Sequence, residues 1–288
     1  MSPPSESSWS ASAEFLLLGA IWGSAFMFMR VAAPAFGAMP LVELRLGLGA
    51  LVLLPFLWRD RRHFTPGMWL RVTLVGMVNA AVPSALFAWA AERAPAGIGA
   101  IANSTTALFA AVVAVRFFGE RMPARSVAGL AAGFIGVVVL ASGKAQGGSL
   151  TAAAIAGTLG ALCYGVGINL VRRYLWALPP FAGACANLLT ASVLCAPLAI
   201  ATWPSTPAPG EAWWSAIALG AVCSGVAYVL YYRIIHRLGA PRAATVSYLI
   251  PLFGVFWGWL LLDEAITATM AAACALILVG VALSQQRA

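Results

Sequence analysis

A chain of 288 residues that is 62% hydrophobic and only 9% charged, with a mean hydropathy of +0.90, excludes a water-soluble domain, because too little polar surface remains to face water. The net charge of +8 would point to nucleic acid in a soluble protein. Here the basic residues sit in short segments between apolar runs, so no nucleic-acid partner is expected, and the length suits about ten spans of roughly twenty residues each in a lipid bilayer.

In chain order, a polar segment (1–12) without the basic start of a signal peptide precedes the first apolar run, which is expected to be retained. Runs bounded by glycine, proline and charge predict helices at about 13–33, 40–58, 68–90, 97–117, 126–142, 152–172, 180–201, 212–233, 242–262 and 266–284. Helix is required because a lipid-exposed backbone must satisfy its own hydrogen bonds. The fold class is therefore an all-α integral membrane protein with ten transmembrane helices. Arginine placement orients it. With a cytoplasmic N-terminus, 13 of the 17 basic residues fall on the cytoplasmic side, only Arg30, Arg93 and Lys144 on the other, and Arg45 within the second span. Both termini are then cytoplasmic.

Shifted by 144 residues, the chain repeats itself without gaps. Gly76, Leu86, Arg93, Ala96, Phe109 and Glu120 meet Gly220, Leu230, Arg237, Ala240, Phe253 and Glu264, and Gly136-Val137 meets Gly280-Val281. A constant register over about sixty residues marks a duplication. It divides the chain into repeat one (13–142), a linker (143–151), repeat two (152–284) and a short tail (285–288). Five helices per copy is an odd number, so the second copy enters the membrane from the opposite face. Two inverted five-helix repeats are an architecture of secondary transporters, which hold substrate near the bilayer midplane.

At mid-depth the spans carry Trp22 and Ser24, Asn79, Asn103 and Thr106, Tyr164, Cys223, Tyr228, and Tyr248 beside Pro251. Phe87 and Trp257 complete the candidate substrate-binding set. Asn103 and Thr106, three apart, are expected to share a helix face. Pro251 lacks a backbone donor, which predicts a break in its helix near Tyr248–Pro251. Pro251, Arg45, Glu120 and Glu264 are assigned structural roles. Arg45 is expected to snorkel or to reach an acid such as Glu43. All nine acids lie at span ends or in loops, and both histidines in loops. A proton-coupled carrier generally hides a titratable group at depth, so facilitated exchange is expected. The five cysteines lie in apolar runs without metal spacing and are read as small hydrophobes. No P-loop, HExxH or nucleophile elbow is present, and Gly97-Ile-Gly99-Ala-Ile-Ala102 opens a helix with no preceding strand, so no enzyme, cofactor or metal is expected.

Trp22-Gly23 with Tyr164-Gly165, Glu43-Leu-Arg45 opening the second helix, and the paired ends Phe118-Gly-Glu120 and Leu262-Asp-Glu264 resemble the drug/metabolite transporter superfamily, EamA type, over about residues 13–284. Within it the chain is most similar to bacterial aromatic amino-acid exporters. The resemblance implies a central cavity lined by helices one, three, four, six, eight and nine. It also implies multi-pass residence in the bacterial cytoplasmic membrane, and export of amino acids or related amphipathic metabolites. The partners implied are a small-molecule substrate and the lipid bilayer, with no obligate protein partner. Other exported metabolites or drugs are the competing substrates, cationic ones being disfavoured by the lack of a deep acid. A non-transporting sensor or assembly subunit is the competing class.

Overall fold

The computed structural model describes residues 8–119, 124–141, 149–238, 243 and 245–285. Among these the regular secondary structure is entirely helical. Seven helices are long and apolar enough to cross a membrane, and three shorter apolar helices join them. We number them α1 (Ser8–Phe36), α2 (Ala38–Arg59), α3 (Pro66–Ala91), α4 (Ala96–Phe118), α5 (Ala124–Ala141), α6 (Ser149–Tyr174), α7 (Pro180–Ala201), α8 (Gly210–Arg237), α9 (Leu249–Leu262, preceded by a 3-10 turn, Thr245–Tyr248) and α10 (Ala268–Gln285).

Local chemistry sets most boundaries. Thr65 caps α3 by accepting from the Met68 N–H at 3.3 Å, with Pro66 in the first turn, where a missing N–H is harmless. Pro180 opens α7 in the same way. α6 and α8 run past their expected ends and take Arg172, Arg173, His236 and Arg237 into their last turns. Positive charge there suits the partial negative charge of a helix C-terminus. His236 therefore lies on an exposed helix end rather than in a loop.

Three of the long helices are interrupted. In α3 a wide π turn spans Met77–Ala81. Pro83 follows, and its missing N–H leaves the carbonyl of Asn79 without an α-helical partner. In α8 a π segment spans Ala218–Val226, and the Ser224 hydroxyl donates to the Leu219 carbonyl at 3.1 Å. α4 is broken at Thr105, where Thr105 N–H bonds the Ala102 carbonyl at 3.1 Å and the Ser104 and Thr105 hydroxyls turn back onto Ile101 and Ala102. Shifted by 144 residues, Met77–Ala81 falls inside the α8 π segment, and Thr105 falls on Leu249, the first residue of α9. The irregularities keep the register of the duplication.

Packing repeats across the two halves as well. α1 packs on α9 and α6 on α4; α2 on α8 and α7 on α3; α5 packs along α10, and α2 along α7. A Cβ on Gly23 of α1 would collide with the Phe253 Cβ and stand 2.9 Å from the Gly254 nitrogen. One on Gly165 of α6 would stand 2.8 Å from the Phe109 Cβ and 2.7 Å from the Ala110 nitrogen. Phe253-Gly254 and Phe109-Ala110 are 144 residues apart and Gly23 and Gly165 are 142 apart, so the two crossings are built alike, with α6 offset from α1 by two residues. Glycine is needed at each because the neighbour is backbone and cannot give way. In the same manner Gly76 abuts Asn187 and Thr190, while Gly220 abuts Arg45 and Leu48. The contacts also fix direction. α1 and α9 run parallel (Gly19 at Leu249, Gly23 at Phe253), whereas α4 and α9 run antiparallel (Ala100 at Gly254, Ala96 at Gly258).

Candidate functional site

The mid-depth residues fall into linked groups. On α1 and α8, Ser24 donates to the Ile21 carbonyl at 2.8 Å, and the Cys223 thiol reaches the same carbonyl at 3.3 Å and lies 3.7 Å from Ser24 Oγ. One helical turn along α8 lies Tyr228, within electrostatic reach of Tyr164 and Arg45. Trp22 packs against Tyr231 with ring centroids 5.1 Å apart, and Tyr228 stacks on Tyr232 at 6.4 Å. Tyr164 in turn stacks on Phe87 at 5.9 Å, and Phe87 meets the edge of Phe26 at 5.6 Å. Two ring groups, one of α8 and α1 and one of α6, α3 and α1, thus make up an aromatic wall, with Tyr228 and Tyr164 facing each other within electrostatic reach. Phe87 and Phe26 are its buried part, and Tyr164, Tyr228 and Trp22 are half-buried.

The amide and hydroxyl candidates lie beside this wall. Asn79 sits in the π turn of α3 with its side chain against Gly167 of α6. Asn103 and Thr106 flank the break at Thr105, so the continuous helix face expected for them is interrupted. Thr106 Oγ1 is buried with no hydrogen-bond partner among the described residues. Tyr248 ends the 3-10 turn and is half-buried. The expected break therefore comes before Pro251, which lies in the first turn of α9 and disturbs no ladder bond there. Trp257 is half-buried and donates its indole N–H to the Ala20 carbonyl at 3.1 Å, which ties α9 to α1.

The charged candidates differ from expectation. Arg45 does not reach Glu43. Its Nε donates to Ser224 Oγ at 3.1 Å, and Nη1 lies 3.8 Å from Met29 Sδ. Glu43 turns the other way and accepts from the Ser192 hydroxyl of α7, its second oxygen having no partner among the described residues. Two residues apart on one helix, they point to different neighbours.

Both ends of the bundle are tied. At one end Glu14 of α1 accepts from Arg233 at 2.8 Å and Arg237 at 3.1 Å. At the other, α9 ends on Asp263 in the left-handed region (φ 53°), a conformation shared with Gly119 (φ 71°) at the corresponding place after α4. That turn sends Glu264 back onto the start of α4, where its two oxygens lie 3.0 and 2.9 Å from the Ala96 nitrogen. Arg30 stands 3.6 Å from Glu264 and donates to the carbonyls of Ala91 and Glu92 at 2.9 and 3.2 Å. Burial pushes the Glu264 carboxyl above the usual carboxylate range, against the lowering by Ala96 N–H and Arg30. Beside this knot is a narrow cleft with only about 10 Å³ of free space, lined by Phe26, Phe87, Pro95, Ala96 and Gly99 among others. Glu120 lies outside the described residues.

The helix interruptions and the Glu264 contact were not read from the sequence. The doubled Gly-Glu/Asp-Glu ends and Pro83 after Asn79 were the available signals.

The chain is 26% identical to the uncharacterized inner membrane transporter YedA of Escherichia coli strain K12, over 83% of this chain and 78% of that one. It is 25% identical to a probable terminal-alkyne amino-acid exporter of Streptantibioticus cattleyicolor, over 92% and 90%. A solved crystal structure, 22% identical, superposes with a TM-score of 0.65 over 96% of this chain and 97% of that one, which establishes a shared fold. The model of the EamA-like transporter family matches residues 11–142 and again 151–285, and the chain belongs to that family of multi-pass membrane transporters.

Proposed function

We propose that this protein exports amino acids, aromatic ones favoured, and related amphipathic metabolites by alternating access. Its ten helices form two inverted five-helix repeats, residues 13–142 and 152–284, with both termini cytoplasmic. It works in the bacterial inner membrane, where the related YedA is named as a transporter.

The observation that carries this reading is the reciprocity of the contacts. Gly23 against Phe253-Gly254 and Gly165 against Phe109-Ala110 are one crossing made twice, with the roles of the halves exchanged. α1 is parallel to α9, α6 is parallel to α4, and α4 is antiparallel to α9. α1 and α6 therefore run in opposite directions, as a two-fold axis in the membrane plane requires. When the two halves of such a pair exchange conformations, access moves from one face to the other while the site stays in place.

The amino-acid assignment draws support from the aromatic wall of Trp22, Phe87, Tyr164 and Tyr228 and the amides of Asn79 and Asn103 beside it, with Ser24, Thr106, Cys223, Tyr248 and Trp257 around them. A flat apolar surface with a few polar groups suits an amphipathic solute. A relative named as a probable amino-acid exporter supports the same class. Facilitated exchange remains the mechanism. Glu14 is held by two arginines at one end of the bundle, which leaves Glu43 as the acid to test for proton coupling.

The test is flux through purified protein in liposomes, against a panel of amino acids and cationic drugs. Substrate-dependent uptake of amino acids is expected, and equal substrate on both sides with an imposed pH gradient should give no accumulation. Transport of cationic drugs alone would overturn the substrate class. Uphill accumulation abolished by a protonophore would overturn facilitated exchange. Absence of any flux would favour the sensor or assembly role.

A further inference from the structure

A cation inside a membrane bundle needs an anion or a wet cavity, and where the protein provides no anion the charge marks a substrate path. Arg45 is such a cation. It is the eighth residue of α2, and its guanidinium rests on Ser224 of α8 and Met29 of α1. Those two side chains are 3% and 2% exposed, so the head group lies among the helices rather than against lipid. The nearest acid in sequence, Glu43, is engaged by Ser192 on α7, and no ion pair to Arg45 occurs among the described residues. A guanidinium offers five N–H donors. One is used on a hydroxyl and one faces a thioether, a weak acceptor, which leaves the remainder of the planar fork without an acceptor among the described residues. Ser224 follows Cys223 on α8, and Tyr228 lies one turn further along the same helix, within electrostatic reach of both Arg45 and Tyr164. By its contacts the corresponding position of the second half is Asn187, which meets Gly76 as Arg45 meets Gly220, so the second half carries an amide where the first carries a cation.

We infer that Arg45 is the anchor for the carboxylate of the transported solute and sets a preference for carboxylates over amines. The inference rests on the transport reading above and sharpens it. A carboxylate matches the guanidinium fork in two parallel hydrogen bonds, a geometry that lysine does not reproduce. With the carboxylate at Arg45, an aromatic side chain reaches Tyr228 and Tyr164. Arg45, assigned a structural role from the sequence alone, thus acts on substrate.

The test uses full-length protein in liposomes, counterflow of labelled phenylalanine, and two competitors. 3-Phenylpropionate carries the carboxylate without the amine, and phenethylamine carries the amine without the carboxylate. Wild-type protein should be inhibited by 3-phenylpropionate at concentrations at which phenethylamine is without effect. Arg45→Gln should raise the KM for phenylalanine by about tenfold or more, as for loss of a charge-assisted bond, and abolish the difference between the competitors. Arg45→Lys should keep that difference with an intermediate KM. An Arg45→Gln protein that folds and retains the wild-type preference overturns the inference. If the Gln variant does not fold, calorimetric titration of wild type and Arg45→Lys decides, and tighter binding of phenethylamine than of 3-phenylpropionate overturns it. Absence of flux by wild type would count against transport itself. Binding of 3-phenylpropionate that is weakened in the Lys variant would still support Arg45 as the anchor, and absence of binding would overturn it.

Discussion

Replacing Glu264 tests whether the knot at the start of α4 holds the bundle together. Its carboxylate is 14% exposed, accepts from the Ala96 N–H at 2.9–3.0 Å and faces Arg30 at 3.6 Å. Glu264→Ala removes the acceptor at a helix N-terminus, a change of about 0.5–2 kcal/mol. The Arg30 pair adds at most about 1 kcal/mol, because Arg30 is 35% exposed and keeps its two carbonyl partners. A total of about 0.5–3 kcal/mol follows, which should lower the melting midpoint of the purified protein by several degrees. Glu264→Gln keeps an acceptor oxygen for Ala96 and discards the charge that burial disfavours. The carboxyl is raised above its ordinary value of 4.5, so the fold prefers the protonated form. The stability linked to that preference is full below the unfolded value and is lost as pH rises through the raised folded value. At pH 7 the glutamine variant should therefore melt no lower than wild type, and its advantage should grow from pH 4.5 upward and then level off. Scanning fluorimetry of the three proteins from pH 4.5 to 8 measures both effects. An alanine variant as stable as wild type, or a glutamine variant as damaged as the alanine one, would refute the reasoning.

Other outcomes follow from the packing and the site. Gly23→Ala and Gly165→Ala each push a methyl group into facing backbone, and each should lower stability by about 1–3 kcal/mol. A neutral result at either would contradict the close crossing in thermal melts. Asn79→Ala, Asn103→Ala and Tyr248→Ala should each reduce flux while folded protein remains in the membrane. Normal transport by all three would remove them from the substrate path. A cysteine replacing Arg62 should resist labelling by an impermeant thiol reagent in intact cells, and efficient labelling would invert the proposed orientation.

The sequence by itself determined where the helices are. An apolar run in lipid has one way to satisfy its backbone, so run length and punctuation place the segments to within a few residues. The 144-residue register and the arginine bias are also written in the chain, since each compares residues with residues and needs no knowledge of contacts. Glu43 and Arg45 mark the limit of that reading. Two positions apart on one helix, they looked like possible partners, and only the placement of α7 and α8 gave Ser192 to one and Ser224 to the other. The break at Thr105, the wide turns of α3 and α8, and the return of Glu264 onto Ala96 were likewise decided by the tertiary structure. Hydropathy averages over a turn or more of helix. A single carbonyl left without its partner, or a charge left without its counter-ion, depends on which neighbour packs against it, and that neighbour comes from a distant part of the chain.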